Sequence, residues 1–168
     1  MQLLEYLQTH QDNCGRGMGG RRAHKRVVNI IERLNPRILG LFSRTPRDFL
    51  VFKEVLCRSS GTQDLGCLDL VFFSPEEMFV FEAKASHGAQ DGRIRRVINP
   101  QLSGAYNFLQ SNFDQPPRLI GAYLPYKKME LEVYEINHSF GSSLVRSTKI
   151  HSVRVAPDVF TQCSVGYF

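Results

Sequence analysis

The sequence predicts an α/β domain, with a helix, a strand, a hairpin, a helix and a strand in that order, and three observations carry the prediction. Two largely apolar runs, Gly66–Phe73 and Met78–Lys84, flank Ser74-Pro75-Glu76-Glu77, whose proline and acids form turns, so the pair reads as a β-hairpin. Before it, Ala23, Val27, Ile30, Ile31 and Leu34 recur at helical spacing. After it, Leu102, Ala105, Tyr106, Leu109 and Phe113 form a second such stripe. Oily strands framed by amphipathic helices call for a central sheet covered on its faces.

In chain order, Leu3 to Thr9 reads as a short helix with Leu3, Leu4 and Leu7 on one face. Gln11 to Gly20 reads as a polar, flexible loop with four glycines around Arg16; no Gly-Lys-Ser/Thr follows, so it is not a Walker phosphate loop. The first long helix starts at Arg21, carries Arg21, Arg22, Lys25, Arg26 and Arg33 around its stripe, and ends at Asn35-Pro36. At ~100° per residue Glu32 points away from that stripe, whereas His24 lies on its flank. Pro36 to Arg47 is a basic connection, and Phe49 to Leu56 the first strand. There Glu54 shares a face with Phe52 and Leu56, as an acidic ligand or as an edge-facing charge. Cys57 to Leu65 is a loop holding Arg58-Ser59-Ser60-Gly61.

Beyond the hairpin, Ala85 to Val97 holds Arg93, Arg95 and Arg96, which either meet phosphates or line a solvated loop. Asn99-Pro100 supplies an N-cap and a first-turn proline, a helix start. Arg118–Leu124 and Leu131–Ile136 are strands, Leu144–Val155 an exposed edge strand or hairpin, and Val159–Phe168 has no readable pattern.

At 168 residues, with 42% hydrophobic and 22% charged residues, the chain (1–168) reads as one domain with a real core. A net charge of +5 and a pI of about 9.2 permit a polyanionic partner without establishing one. No apolar run approaches a membrane span and the first residues lack a signal-peptide pattern, so a soluble intracellular chain is expected. Cys14, Cys57, Cys67 and Cys163 show no Cys-x-x-Cys spacing, read as reduced thiols, and argue against an iron–sulfur cluster.

The chemistry sits in the hairpin. Asp69, Glu82 and Lys84 interrupt strands that are otherwise oily, where a charge is costly unless paired or bound to metal. Glu82 and Lys84 project from one face with Ala83 opposite, and Asp69 can reach that face from the neighbouring strand. Two carboxylates that close repel unless a cation lies between them, and oxygen ligands suit Mg²⁺ or Mn²⁺.

Asp69, twelve residues, then Glu82-Ala83-Lys84 resembles the D…(D/E)xK signature of the PD-(D/E)xK nuclease superfamily, and Gly66 three residues before Asp69 is similar to the GxxD form of its RecB-like branch. The resemblance implies a restriction-endonuclease-like αβββαβ core with a mixed sheet flanked by helices. It implies a nuclease whose catalytic residues are Asp69, Glu82 and Lys84, with Mg²⁺ or Mn²⁺ held by Asp69, Glu82 and the Ala83 carbonyl. Where the superfamily often supplies a carboxylate from the first helix, this chain offers His24, which occurs at that place in the cap-snatching branch; the alternative is that His24 adds to a basic surface. Glu54 is the further ligand candidate. The implied partner is nucleic acid, DNA before RNA, met by Arg21, Arg22, Lys25, Arg58, Arg93, Arg95, Arg96 and Gln101; a homodimer stays open. Arg58-Ser-Ser-Gly is similar to the substrate loop of archaeal-type Holliday-junction resolvases. Gln101 and Tyr106 resemble the RecB-like QxxxY motif with one residue too many, so Gln101 is a candidate substrate contact and Tyr106 is expected in the core.

Overall fold

The structure, a computed structural model of the chain, describes residues 2–14, 18–43, 45, 48–58, 64–85, 91–125, 128–138, 146–147 and 149–163. A mixed sheet runs through its centre. The strands are β1 (Leu50–Arg58), β2 (Asp64–Phe73), β3 (Met78–Ala85), β4 (Arg118–Leu124), β5 (Glu130–Asn137), β6 (Arg146–Ser147) and β7 (His151–Arg154). They lie in the order β1-β2-β3-β4-β5, with β6 and β7 both pairing β5. Among the described strands only β3 and β4 run parallel, joined by a helical crossover as parallel strands require. The fold is therefore α/β with a mixed sheet flanked by helices.

The helices are α1 (Leu3–His10), α2 (Met18–Arg33), α3 (Asn35–Leu39), α4 (Asp91–Phe113) and α5 (Pro157–Gln162). They divide between the faces of the sheet, and the hydrophobic pattern decides which goes where. Leu7 of α1 and Ile98, Leu102, Phe108 and Leu109 of α4 share one core with Val71, Val80 and Leu119. Val27, Ile30 and Ile31 of α2 and Ile38 of α3 share the other with Leu70, Phe72, Phe79 and Phe81. Alternation along β2 and β3 feeds both cores, which is why these strands are oily throughout. The hairpin turn is closed by Ser74, whose amide donates to the Glu77 carbonyl at 2.9 Å. Arg118 ties the turn to β5 through Glu77 and Glu135, each at 2.8 Å. At Gly121 of β4 the Tyr134 ring lies so close that an added methyl would overlap it, and the Tyr134 hydroxyl donates to Asn99 Oδ1 at 3.1 Å.

Several sequence expectations need correction. The second long helix does not begin at Asn99-Pro100; α4 starts at Asp91 and passes through Pro100. The proline forfeits one i→i−4 bond, to the carbonyl of Arg96, and both residues are exposed, so the loss falls on the solvent side of the helix. The loop expected over Gln11–Gly20 is shorter, since α2 is already helical at Met18 and Asp12 and Asn13 pair with β1; Gly15 to Gly17 lie outside the described residues. The segment Asn35–Leu39, expected as a helix end and loop, forms α3 with its proline in the first turn. Val159–Phe168, unreadable in sequence, contributes its start to α5.

A further correction concerns the cysteines. Cys14 and Cys67 form a disulfide across a separation of 53 residues, while Cys57 and Cys163 are free and buried. Scattered spacing in the chain says nothing about which side chains folding brings together. Closing a loop of that length stabilises the folded state by about 4 kcal/mol in the chain-entropy description. Reduction should accordingly lower the melting temperature by roughly 10 °C in a calorimetric scan. A shift below about 2 °C would show that the bridge adds nothing to stability.

Candidate active site at the β2–β3 fork

The β2–β3 ladder runs from Phe73↔Met78 to Leu70↔Phe81 and makes no further pair. Beyond that point β3 keeps β4 on one edge, with Ala83 beside Ala122, and loses β2 on the other. The edge so exposed must be satisfied, because a buried amide without a partner is costly. Asp69 does this. Its Oδ2 accepts the Ala83 amide at 2.8 Å, and the residue is 0% exposed. The carboxylate thus stands in the plane of the sheet in place of the missing strand.

The residues flanking Ala83 are the other two of the signature. Glu82 is buried, and its Oε1 accepts from the Lys84 ammonium at 2.8 Å. Lys84 is 25% exposed, so the pair spans from the interior to the surface. Alternation puts Ala83 with Phe79 and Phe81 beneath α2, and Glu82 and Lys84 on the opposite parity with Val80. Asp69 therefore meets β3 at its backbone edge, at the amide that lies between Glu82 and Lys84.

From α2, His24 is buried at 7% and places Nε2 3.5 Å from Asp69 Oδ1. The alternative of a surface histidine is overturned by that burial. Glu32, read as pointing away, does so and pairs with Lys53 of β1 at 2.7 Å.

Glu54 behaves unlike the regular strand residue the sequence suggested. Its φ of +49° lies in the left-handed region, uncommon for any residue but glycine. Successive carbonyls of a strand normally face opposite edges, but here those of Lys53 and Glu54 both accept from the preceding segment. Asp12 donates to the first at 2.9 Å and Asn13 to the second at 3.3 Å. The β1–β2 ladder pairs Lys53↔Leu70 and Val55↔Leu68 and skips Glu54 and Asp69 between them. The expected face shared by Phe52, Glu54 and Leu56 is broken in consequence: Phe52, Val55 and Cys57 are the buried residues. Glu54 is half-buried, and its Oε1 is shielded from solvent without a hydrogen-bond partner among the described residues. Gly66, at φ +139°, is likewise in a conformation that a side chain rarely adopts, a backbone reason for glycine three residues ahead of Asp69.

The basic and polar candidates are spread more widely. Arg58 ends β1 and is exposed, its amide donating to the Tyr6 hydroxyl at 3.0 Å. Lys25 is half-buried on α2, while Arg96 and Gln101 are exposed on α4. The side chains of Arg21, Arg22, Arg93 and Arg95 lie outside the described residues, as do Ser59 to Gly61 and Ser86 to Gln90. Among the described residues no three His, Cys, Asp or Glu side chains gather into a group that could hold a metal ion as they stand. No described helix is long and apolar enough to cross a membrane.

The sequence reading missed Asp12, Asn13 and Cys14, which brace Glu54 and Cys67 beside the fork. Asp12 at φ +56° is of a type that tolerates the left-handed region, the one local signal available. Comparison with protein-family models, with curated proteins and with solved structures finds no match to this chain, so the site is read from its own residues.

Proposed function

We propose that the chain is a Mg²⁺- or Mn²⁺-dependent phosphodiester hydrolase acting on nucleic acid, built on the restriction-endonuclease-like core that the PD-(D/E)xK resemblance implies. The observation that carries this reading is the interlock at Ala83: Asp69 accepts its amide, and its neighbours are Glu82 and Lys84. The order α2-β1-β2-β3-α4-β4, with the short α3 between α2 and β1 and with β3 parallel to β4, supports the αβββαβ core.

The donor set suits a divalent cation. Asp69 and Glu82 bring two carboxylates into the interior, His24 lies 3.5 Å from the first and Lys84 2.8 Å from the second, so oxygen and nitrogen donors are gathered within one stretch of the sheet. Asp69, Glu82 and the Ala83 carbonyl would hold the ion, with His24 as the nitrogen donor that a purely oxygen site lacks and Glu54 as a further carboxylate. Such a cation, when bound, supplies Lewis acidity toward a phosphoryl oxygen and generates a nucleophile from water. The ammonium of Lys84, anchored by Glu82 and reaching the surface, orients the attacking water and meets the charge that develops on the phosphate. Arg58, Arg96 and Lys25, with Arg21, Arg22, Arg93, Arg95 and Gln101, supply phosphate and polar contacts to the strand.

The test is turnover of single- and double-stranded DNA and of RNA in Mg²⁺ and in Mn²⁺; no cleavage of any of them would defeat the reading. Loss of the Mn²⁺ response and of turnover is expected for His24→Ala, and a near-native rate at saturating substrate would remove His24 from the site. One observation favours a second reading, a catalytically idle nucleic-acid-binding domain: the lack of a three-ligand group among the described residues. Mn²⁺ titration by calorimetry separates the two, since the idle domain gives no heat that Glu82→Gln abolishes.

A further inference from the structure

The disulfide lies where it can act on the fork. Cys67 is two residues before Asp69 on β2, and Cys14 is one residue after Asn13, whose amide holds the Glu54 carbonyl. Glu54 in turn lies across from Asp69 where the ladder skips a pair between two regular neighbours, Lys53↔Leu70 and Val55↔Leu68. One covalent bond therefore tethers the segment that keeps Glu54 left-handed, and that backbone conformation leaves Asp69 free to turn to β3. A left-handed non-glycine residue persists only when its surroundings hold it there.

Access to the bond is one-sided. Cys14 is buried, whereas Cys67 is half-exposed and lines a groove of about 650 Å³ between β2 and α4, beside Gly66, Gln101 and Gly104. Cys57 lines the same groove, and burial pushes its thiol up to about 12, so it stays protonated and does not shuffle with its neighbour.

We propose that the Cys14–Cys67 disulfide is a reversible clasp, opened by a dithiol through the groove, that holds residues 12–14 against β1 and so keeps Asp69 on the Ala83 amide. A thiolate of the dithiol attacks Cys67 Sγ, forming a mixed disulfide and expelling the Cys14 thiolate, which takes a proton from water. The second thiol of the reagent, deprotonated, attacks its own sulfur in the mixed disulfide and releases the Cys67 thiolate, protonated in its turn. Two electrons and two protons pass from the dithiol, which becomes a disulfide, to the pair of cysteines. Once opened, the Asp12 and Asn13 bonds lose their tether, Glu54 relaxes toward the ladder, and its partner Asp69 leaves the fork. The consequence for catalysis rests on the nuclease reading; the clasp does not.

The test uses the full chain purified without reductant, then treated with dithiothreitol at 25 °C and reoxidised. Thiol counting after denaturation finds two reactive cysteines before treatment and four after it. Amide hydrogen exchange is then followed at Asn13 and Ala83. Both amides exchange at least about tenfold faster after reduction, with unchanged far-ultraviolet dichroism, and recover on reoxidation. Cys14→Ser shows the fast pattern in either condition. Four reactive thiols in the untreated chain would overturn the proposal. So would an Ala83 amide that keeps its exchange rate while Asn13 is released. None of these readouts needs turnover, so a chain that clasps and unclasps without cutting nucleic acid defeats the nuclease reading alone. A nuclease whose Ala83 amide ignores reduction defeats the clasp alone.

Discussion

Asp69→Asn is expected to abolish nucleic-acid cleavage, by about a thousandfold or more, while leaving the melting temperature of the protein nearly unchanged. The asparagine carbonyl still accepts the Ala83 amide, so the bond that closes the β2–β3 fork survives. What is lost is the charge that would hold a divalent cation. Asp69→Ala separates the two roles. It removes both, leaves the buried Ala83 amide without its acceptor, and should cost about 1–3 kcal/mol of stability besides the activity. From the sequence alone, Asp69→Ala would leave the fold intact or stabilise it, because it deletes a buried charge; the 2.8 Å bond to Ala83 reverses that sign. Added Mn²⁺ should raise the melting temperature of the native chain and not that of Asp69→Asn. If Asp69→Asn cleaves at the native rate, Asp69 is a structural cap and the metal assignment fails.

The parts of the fold legible in sequence were those governed by local pattern. The stripes of α2 and the later half of α4, the two runs of the hairpin, and the strands Arg118–Leu124 and Glu130–Asn137 all follow from periodicity. The charges Asp69, Glu82 and Lys84 stood out because oily strands rarely carry them, and His24 because one turn of geometry put it on the flank of the stripe. The rest depended on contacts between distant residues. Cys14 finds Cys67 only through the tertiary fold. The left-handed Glu54 is met by backbone hydrogen bonds from Asp12 and Asn13, some forty residues earlier. Asn99-Pro100 misled because a proline that suits a first turn is also tolerated inside a helix where its orphaned carbonyl meets water. The in-plane position of Asp69 was invisible for a similar reason. Alternation predicts faces, and at a fork between strands a side chain can take the edge.

Lys84→Ala divides chemistry from binding. The ammonium lies 2.8 Å from Glu82 Oε1 and is a quarter exposed, so it is held by one carboxylate and presented to whatever occupies the mouth of the fork. A group that acts on the attacking water and on transition-state charge contributes to turnover and little to ground-state affinity. Turnover should therefore fall by about a hundredfold or more, on the scale of other electrostatic catalytic groups. Nucleic-acid affinity measured in Ca²⁺ should change little. Some stability should be lost as well, because the buried Glu82 loses the ammonium 2.8 Å from it. Neutralising Arg96 should do the opposite, weakening binding and lowering its salt slope by about one per lost phosphate contact, with turnover at saturation preserved. The contrast matters because both residues are cations and differ in where they stand, Lys84 on the buried Glu82 and Arg96 exposed on α4. If Lys84→Ala weakens binding yet turns over normally when saturated, the Glu82–Lys84 pair is a surface ion pair on a fold that does no chemistry there.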